Sequence, residues 1–353
     1  MPNKQPADAL LHTPRARKAP PLPGRVVLVL QGGGALGAYQ VGVFEALHEA
    51  GIEPDWVIGT SIGAINGTLV AGKKPEDRVA RLLSFWERVG QTPFAAGAFE
   101  AFGMGAGLNN MATVLRGIPS FFETNPRAMQ GSSAPVGVQQ AAYYSTAPLR
   151  RTLADLVNFG QVNDQLSARL TVGAVNVNSG VMTYFDSSKT RIEADHVMAS
   201  GALPPAFGAI GVDGEPYWDG GIYSNPPIEA VLDDNPRKDS LIFAVNVWHQ
   251  TDEELKSIQQ VLARQKDIQF ASRADSHIAR QKQIHRLRHI IRQLGRELTP
   301  AQAASLHIKE LTAWGCGTTM HVAHLVAPRL AGEDQSEDID FSVAGISARR
   351  AAG

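Results

Sequence analysis

Cysteine is almost missing from this chain: Cys316 is the only one in 353 residues. No disulfide can form within the chain, so the fold must be held by its core. With no motif around it, Cys316 reads as an inert buried thiol. An excess of charge is missing too. Lys and Arg number 33 against 34 Asp and Glu, a net charge of −1, which argues against a dedicated nucleic-acid binder. No stretch approaches 18 continuous apolar residues, so no membrane-spanning helix is expected. No metal and no cofactor is expected.

What is present is a 44% hydrophobic composition, enough for one large globular domain with extensions. Residues 1–24 hold Pro2, Pro6, Pro14, Pro20, Pro21 and Pro23 with four basic residues against Asp8. They read as a disordered basic leader without the apolar core of a secretory signal. A cytoplasmic location, with peripheral membrane contact as its variant, is the expectation.

The organised part begins with a buried-type strand, Arg25 to Leu30, then a loop, Gln31 to Gly34, then a helix to about Ala50 with Gly51 as its C-cap. A second strand covers 56–60. Helices follow over 62–70, ended by Gly72, and 76–89. This alternation predicts a mainly parallel sheet in an α/β fold, with a catalytic domain over 25–250. Residues 91–145 break the pattern. They carry Phe94, Phe99, Phe102, Phe121, Phe122, Tyr143 and Tyr144, and read either as a surface insertion or as an apolar cap over a site. Regular structure resumes with a helix over 148–157, a hairpin over 170–176 and 182–185, a short helix over 194–200 and a strand over 241–247. Capping boxes at Thr251 and Thr299 open helices in an extension over 251–332, which ends in a strand over 321–326. Residues 333–353 read as a loosely held polar tail.

Within the helical extension, Ile284, Leu287, Ile291, Leu294 and Leu298 recur at spacings of three and four among six basic residues of 280–296. The stripe can pack on the domain. Alternatively, the basic 276–298 helix meets a membrane surface or a partner, or forms a coiled-coil seam.

The chemistry concentrates in three glycine motifs. Gly59-Thr60-Ser61-Ile62-Gly63 places a serine between glycines, after an apolar strand and before a helix. That is the sequence form of a nucleophile elbow, where side chains at Gly59 and Gly63 would collide with the neighbouring strand and helix. Gly32-Gly33-Gly34-Ala35-Leu36-Gly37 opens a helix, so its N–H groups, with that of Ile62, are candidates for holding an oxyanion. The same run fits a dinucleotide-binding turn, but the next strand ends in Gly59-Thr60-Ser61 rather than the acid that reading needs. The third motif is Trp218-Asp219-Gly220-Gly221, followed by Asn225-Pro226-Pro227 and preceded by Ala199 to Phe207. Aspartate before two glycines is, alone, an ordinary turn.

Taken in order, the three motifs resemble the patatin-like phospholipases over about Val26 to Trp248. The resemblance implies a three-layer α/β/α fold and hydrolysis of lipid acyl esters. It assigns Ser61 as nucleophile and Asp219 as its base, in a dyad without histidine. It assigns the Gly32, Gly33 and Gly34 backbone to the oxyanion hole. The family commonly has a basic residue where this chain has Leu36, which puts a preference for anionic phospholipid in doubt. A triad using His249, His321 or His324 is the alternative; His196 reads as structural or pocket-lining. A lipid-binding or regulatory protein with a decayed site is the non-enzyme alternative.

Overall fold

The computed structural model describes residues 21–91, 117–249, 255, 257–330 and 336–353, with the side chains of 259 and 272–277 outside the description. Phe94, Phe99, Phe102 and the capping box at Thr251 lie outside the described residues, as does most of the leader.

The first strand is β1 (Arg25–Leu30), followed by a single 3-10 turn (Gly34–Gly37) and α1 (Ala38–Glu49). Next come β2 (Trp56–Gly59), α2 (Ile62–Ala71) and α3 (Pro75–Val89). Pro75 opens α3, where its missing N–H costs nothing, and Glu76 and Asp77 suit the positive end of the helix. After a small antiparallel pair (Glu123–Thr124 with Tyr144–Ser145) come α4 (Ala147–Leu156), β3 (Arg169–Asn176), β4 (Met182–Asp186) and α5 (Ala194–Ser200). The chain continues through β5 (Ile210–Val212), β6 (Glu215–Asp219), β7 (Ser240–Asn246), α6 (Ile258–Glu297), β8 (Met320–Val326) and α7 (Val343–Ala352).

The eight strands form one sheet in the order β8-β7-β1-β2-β3-β6-β5, with β4 also paired to β3. β8, β7, β1, β2 and β3 are parallel; β4 and β6 run antiparallel to β3. Alternation along β1 explains the layers. Val27 and Val29 face one core with Ile228, Val231 and Ile278; Leu28 and Leu30 face a larger core with residues of α1, α2 and α3. Helices therefore cover both faces, as a parallel sheet requires.

One detail of pairing positions the site. β4 occupies one edge of β3. The other edge is shared end to end by β2, opposite residues 169–172, and by β6, opposite residues 174–176. Because β2 is parallel and β6 antiparallel, their C-terminal ends point at each other across Gly173. Ser61 follows one end; Asp219 is the other.

Two sequence expectations change. The β5–β6 hairpin is absent from the sequence reading, although Asp213 and Gly214 take the paired positive φ values, 50 and 86°, of a tight hairpin turn. The loosely held polar tail is also corrected. Residues 336–353 dock on the core: Phe341 stacks on Trp86, Ile346 and Arg349 are buried, and Arg350 pairs with Glu45 of α1 at 2.7 Å.

The basic helix is placed by its contacts. Its Phe270 carbonyl accepts from Gln31 at the C-terminal end of β1. His285 and His289 reach the Thr318 carbonyl, just before β8 begins. At about 1.5 Å per residue, α6 thus crosses the full height of the sheet, and its arginine-rich half lies at the end away from Ser61. No helix among the described residues is long and apolar enough to cross a membrane.

Candidate active site

Ser61 sits at the sharp turn from β2 into α2. Ser61 has φ 55° and ψ −128°, one of two non-glycine residues with positive φ among those described. Such a backbone costs roughly 1–3 kcal/mol and persists only where the surroundings hold it. Here they do. The Ser61 N–H is held by the Ser200 carbonyl at 3.0 Å and the Ser200 hydroxyl oxygen at 3.1 Å, and that hydroxyl donates to the Gly173 carbonyl at 2.6 Å. A Cβ on Gly59 would lie 2.3 Å from the Gly63 carbonyl oxygen, and one on Gly63 would lie 2.4 Å from that of Leu30. Both positions therefore exclude any side chain.

Asp219 ends β6 with 2% of its surface exposed. Its carboxylate accepts from the Gly221 N–H at 2.7 Å, and the Ser61 side chain lies close enough to favour its charged form. Burial pushes its pKa up to about 7, against the downward pull of the Gly221 N–H and the Ser61 hydroxyl. Gly220 packs against the Gly173 carbonyl, so the acid's turn closes over the same residue that anchors Ser200.

The glycine loop lies beside the serine: a Cβ on Gly32 would sit 2.8 Å from the Ser61 Cβ. Gly37 packs on Ile62 and seats the loop against α2. The Gly32 N–H is already donated to Asn225 Oδ1 at 2.7 Å. The three-glycine donor set expected from sequence therefore narrows. The N–H groups of Gly33, Gly34 and Ile62 have no hydrogen-bond partner among the described residues, and all three residues line the cavity above Ser61.

That cavity has a volume of about 180 Å³ and a mostly apolar wall, with Phe121, Phe122, Phe207, Phe270, Ile339 and Phe341 among its lining. Phe121 and Phe122 come from the described part of the aromatic segment over 91–145. Ile339 and Phe341 come from the docked C-terminal segment. Among the described residues Asp219 and Asp338 are the only charged ones on the wall, and Asp338 pairs with Lys266 at 2.6 Å. No histidine among the described residues lines it. His249, His321 and His324 lie elsewhere, and His196 is buried against Phe185, its pKa lowered by burial.

Sequence reasoning missed Ser200, Asn225, Trp248 and Phe270. Ser200 and Asn225 stand within quoted stretches, but what they do rests on hydrogen bonds to residues far along the chain, Ser61 and Gly32. Trp248 stacks on Phe270 and donates to the Gly32 carbonyl at 2.7 Å.

Comparison with known proteins falls on this same region. The family profile described as patatin-like phospholipase matches residues 28–232, and a second, described as patatin phospholipase, matches residues 268–353. Lysophospholipase nte1 of Aspergillus terreus is 62% identical over 56 residues, which cover 16% of this chain and 4% of that protein. The human patatin-like phospholipase domain-containing protein 6 is 41% identical over 78 residues, covering 22% and 6%. The chain thus matches only a small part of the length of these relatives. Among solved structures, VipD of Legionella pneumophila aligns with TM-score 0.34 and 15% identity over 94% of this chain and 67% of that one.

Proposed function

The chain belongs to the patatin-like phospholipase family, and from that premise we propose that it is a serine acyl hydrolase of lipid esters, working through Ser61 and Asp219. The observation that carries the reading is that the Ser61 side chain and the buried Asp219 carboxylate meet in one cavity, with no cation among the described residues of its wall. A serine hydroxyl is a weak nucleophile and needs a base whose pKa lies near the working pH. An ordinary carboxylate near 3.9 is too weak. Asp219, pushed up to about 7, is matched to the task.

In the proposed reaction Ser61 Oγ attacks the ester carbonyl carbon as its proton passes to Asp219. The carbonyl oxygen becomes an oxyanion held by the N–H groups of Gly33, Gly34 and Ile62, at the positive end of α2. Collapse breaks the ester bond, and the leaving alkoxide takes the proton from Asp219. Water then attacks the acyl-Ser61 ester, gives its proton to Asp219 and releases the fatty acid; the proton returns to Ser61. The aromatic wall receives the acyl chain and excludes water, which keeps Asp219 desolvated. A cytoplasmic setting fits the buried Cys316 thiol.

The test is labelling with a fluorophosphonate, which reacts with an activated serine. Ser61 is expected to be modified in the wild type and not in Asp219→Asn. Turnover of a panel of lipid classes then gives the headgroup and the position cleaved. Absence of labelling in folded wild-type protein would replace the enzyme with a lipid-binding protein. A membrane contact through the basic 276–298 helix would act as a tether, because that surface faces away from the cavity. Vesicle co-sedimentation that rises with anionic lipid content, and falls when its arginines are reversed, is the expected sign.

A further inference from the structure

Three consecutive glycines make a poor scaffold. They lose the most conformational freedom on folding and offer no side chains by which neighbours could hold them. Yet an oxyanion hole works only if its donors are in place before charge develops. The order must come from outside the loop.

Asn225 supplies it. Its residue is 4% exposed. Oδ1 accepts from the Gly32 N–H at 2.7 Å and from the Thr60 hydroxyl at 3.2 Å. Nδ2 donates to the Gly32 carbonyl at 3.1 Å. The amide thus grips both polar groups of one glycine, as a neighbouring strand would, and fixes the plane from which Gly33 and Gly34 continue. Thr60 immediately precedes Ser61, so the same oxygen also touches the elbow. The Asn225 backbone carbonyl accepts from Gln31 Nε2 at 3.1 Å, which fastens the residue before the loop. Through Gly220 to Ile222, a 3-10 turn, Asn225 is joined to Asp219. One side chain therefore touches the donor loop and the nucleophile's strand, and is tethered to the acid.

We propose that Asn225 is a positioning residue that holds the Gly33 and Gly34 donors in register with Ser61. The proposal rests on the acyl-hydrolase reading above. Only a primary amide fits the role. It offers an acceptor and a donor side by side, whereas a carboxylate lacks the donor and would bring a second negative charge beside Asp219.

The test compares wild type, Asn225→Ala and Asn225→Asp on a soluble ester. It adds inhibition by a trifluoromethyl ketone, whose serine adduct is an oxyanion, and binding of a non-hydrolysable ether lipid. For Asn225→Ala, kcat is expected to fall about 100-fold, the loss typical of one oxyanion donor, with KM within about threefold. Ketone affinity should fall in proportion to kcat/KM while ether-lipid binding holds. Asn225→Asp should not restore kcat. Unchanged kcat, or an equal loss of ether-lipid binding, would overturn the proposal. Should Asn225→Ala not fold, Thr60→Val removes one of the Oδ1 contacts at nearly constant volume. It is expected to lower kcat about tenfold with the same split, and no change there counts equally against the proposal. A wild type that is folded but neither turns over ester nor reacts with fluorophosphonate sinks the hydrolase reading instead.

Discussion

Two buried aspartates flank the same strand and behave in opposite ways. Asp186 pairs in register with Thr171 of β3, and Asp219 with Ala174 on the other edge. Both are nearly inaccessible. Asp186 meets Arg169, which also bonds Asp234 and stacks over Trp56 at 3.8 Å, with Arg25 over the same ring at 4.7 Å. Burial pushes the Asp186 carboxyl upward, but hydrogen bonds from Arg169 and Ser188 and the guanidinium charge more than offset it, leaving the pKa below the usual range. Asp219 meets a hydroxyl and one amide, and burial wins. The lesson is that burial alone does not mark a working acid. A structural carboxylate brings its cation with it, and a carboxylate left without one is poised to move a proton.

The sharpest way to break this comparison is to neutralise each acid in turn. Asp219→Asn is expected to lower ester turnover by about four orders of magnitude or more, with an unfolding midpoint equal to or above the wild type, since a desolvated charge is removed. Turnover within tenfold of wild type would end the role proposed for it. Asp186→Asn should do the reverse. It leaves Arg169 and its network underpaired, at a cost of roughly 3–5 kcal/mol in denaturant unfolding, while kcat at a temperature where the variant is folded stays within about twofold of wild type.

The acids also tilt the pH dependence of stability in opposite senses. For Asp219 the native state keeps its proton between about 3.8 and 7 while the unfolded chain has released it. Its contribution is therefore greatest at low pH, declines as pH rises to about 7 and is constant above. Asp186 contributes above the ordinary carboxylate pKa, and that contribution is lost as pH falls through its lowered folded value. Denaturant midpoints of the two Asn variants, measured across pH 3 to 8, should diverge from wild type in opposite directions. The smallest effect is expected at the far end of α6. Reversing Arg286, Arg292 and Arg296 to Glu should change turnover of a soluble ester by less than about twofold, because that surface lies a sheet's height from Ser61. A loss of tenfold would show that the two ends communicate.

Much of the site is legible in sequence because its glycines are irreplaceable. At Gly59 and Gly63 backbone oxygens occupy the space a side chain would need, so the elbow has a fixed spelling. The alternation of buried strands with helices likewise announced the parallel half of the sheet. What stayed hidden has physical reasons. β5 and β6 are short, and Pro216 obscures the second. The acidic run from Glu333 to Asp340 masked the anchor that follows, where Phe341 and Ile346 enter the core and Arg349 is neutralised by Asp340 at 3.4 Å. Periodicity found the stripe of α6 but carries no information about which end of the sheet it reaches. Ser200 and Asn225 act through bonds between residues more than a hundred positions apart, which no local pattern encodes.

The most direct test is kcat/KM for a soluble short-chain ester measured from pH 5 to 9. A carboxylate base raised by desolvation predicts one ionisation near pH 7, with activity falling about tenfold per unit on the acid side. A rate that stays flat from neutral pH down to pH 5 would contradict the account, since it would mean that Asp219 works as an ordinary surface carboxylate or does not work at all.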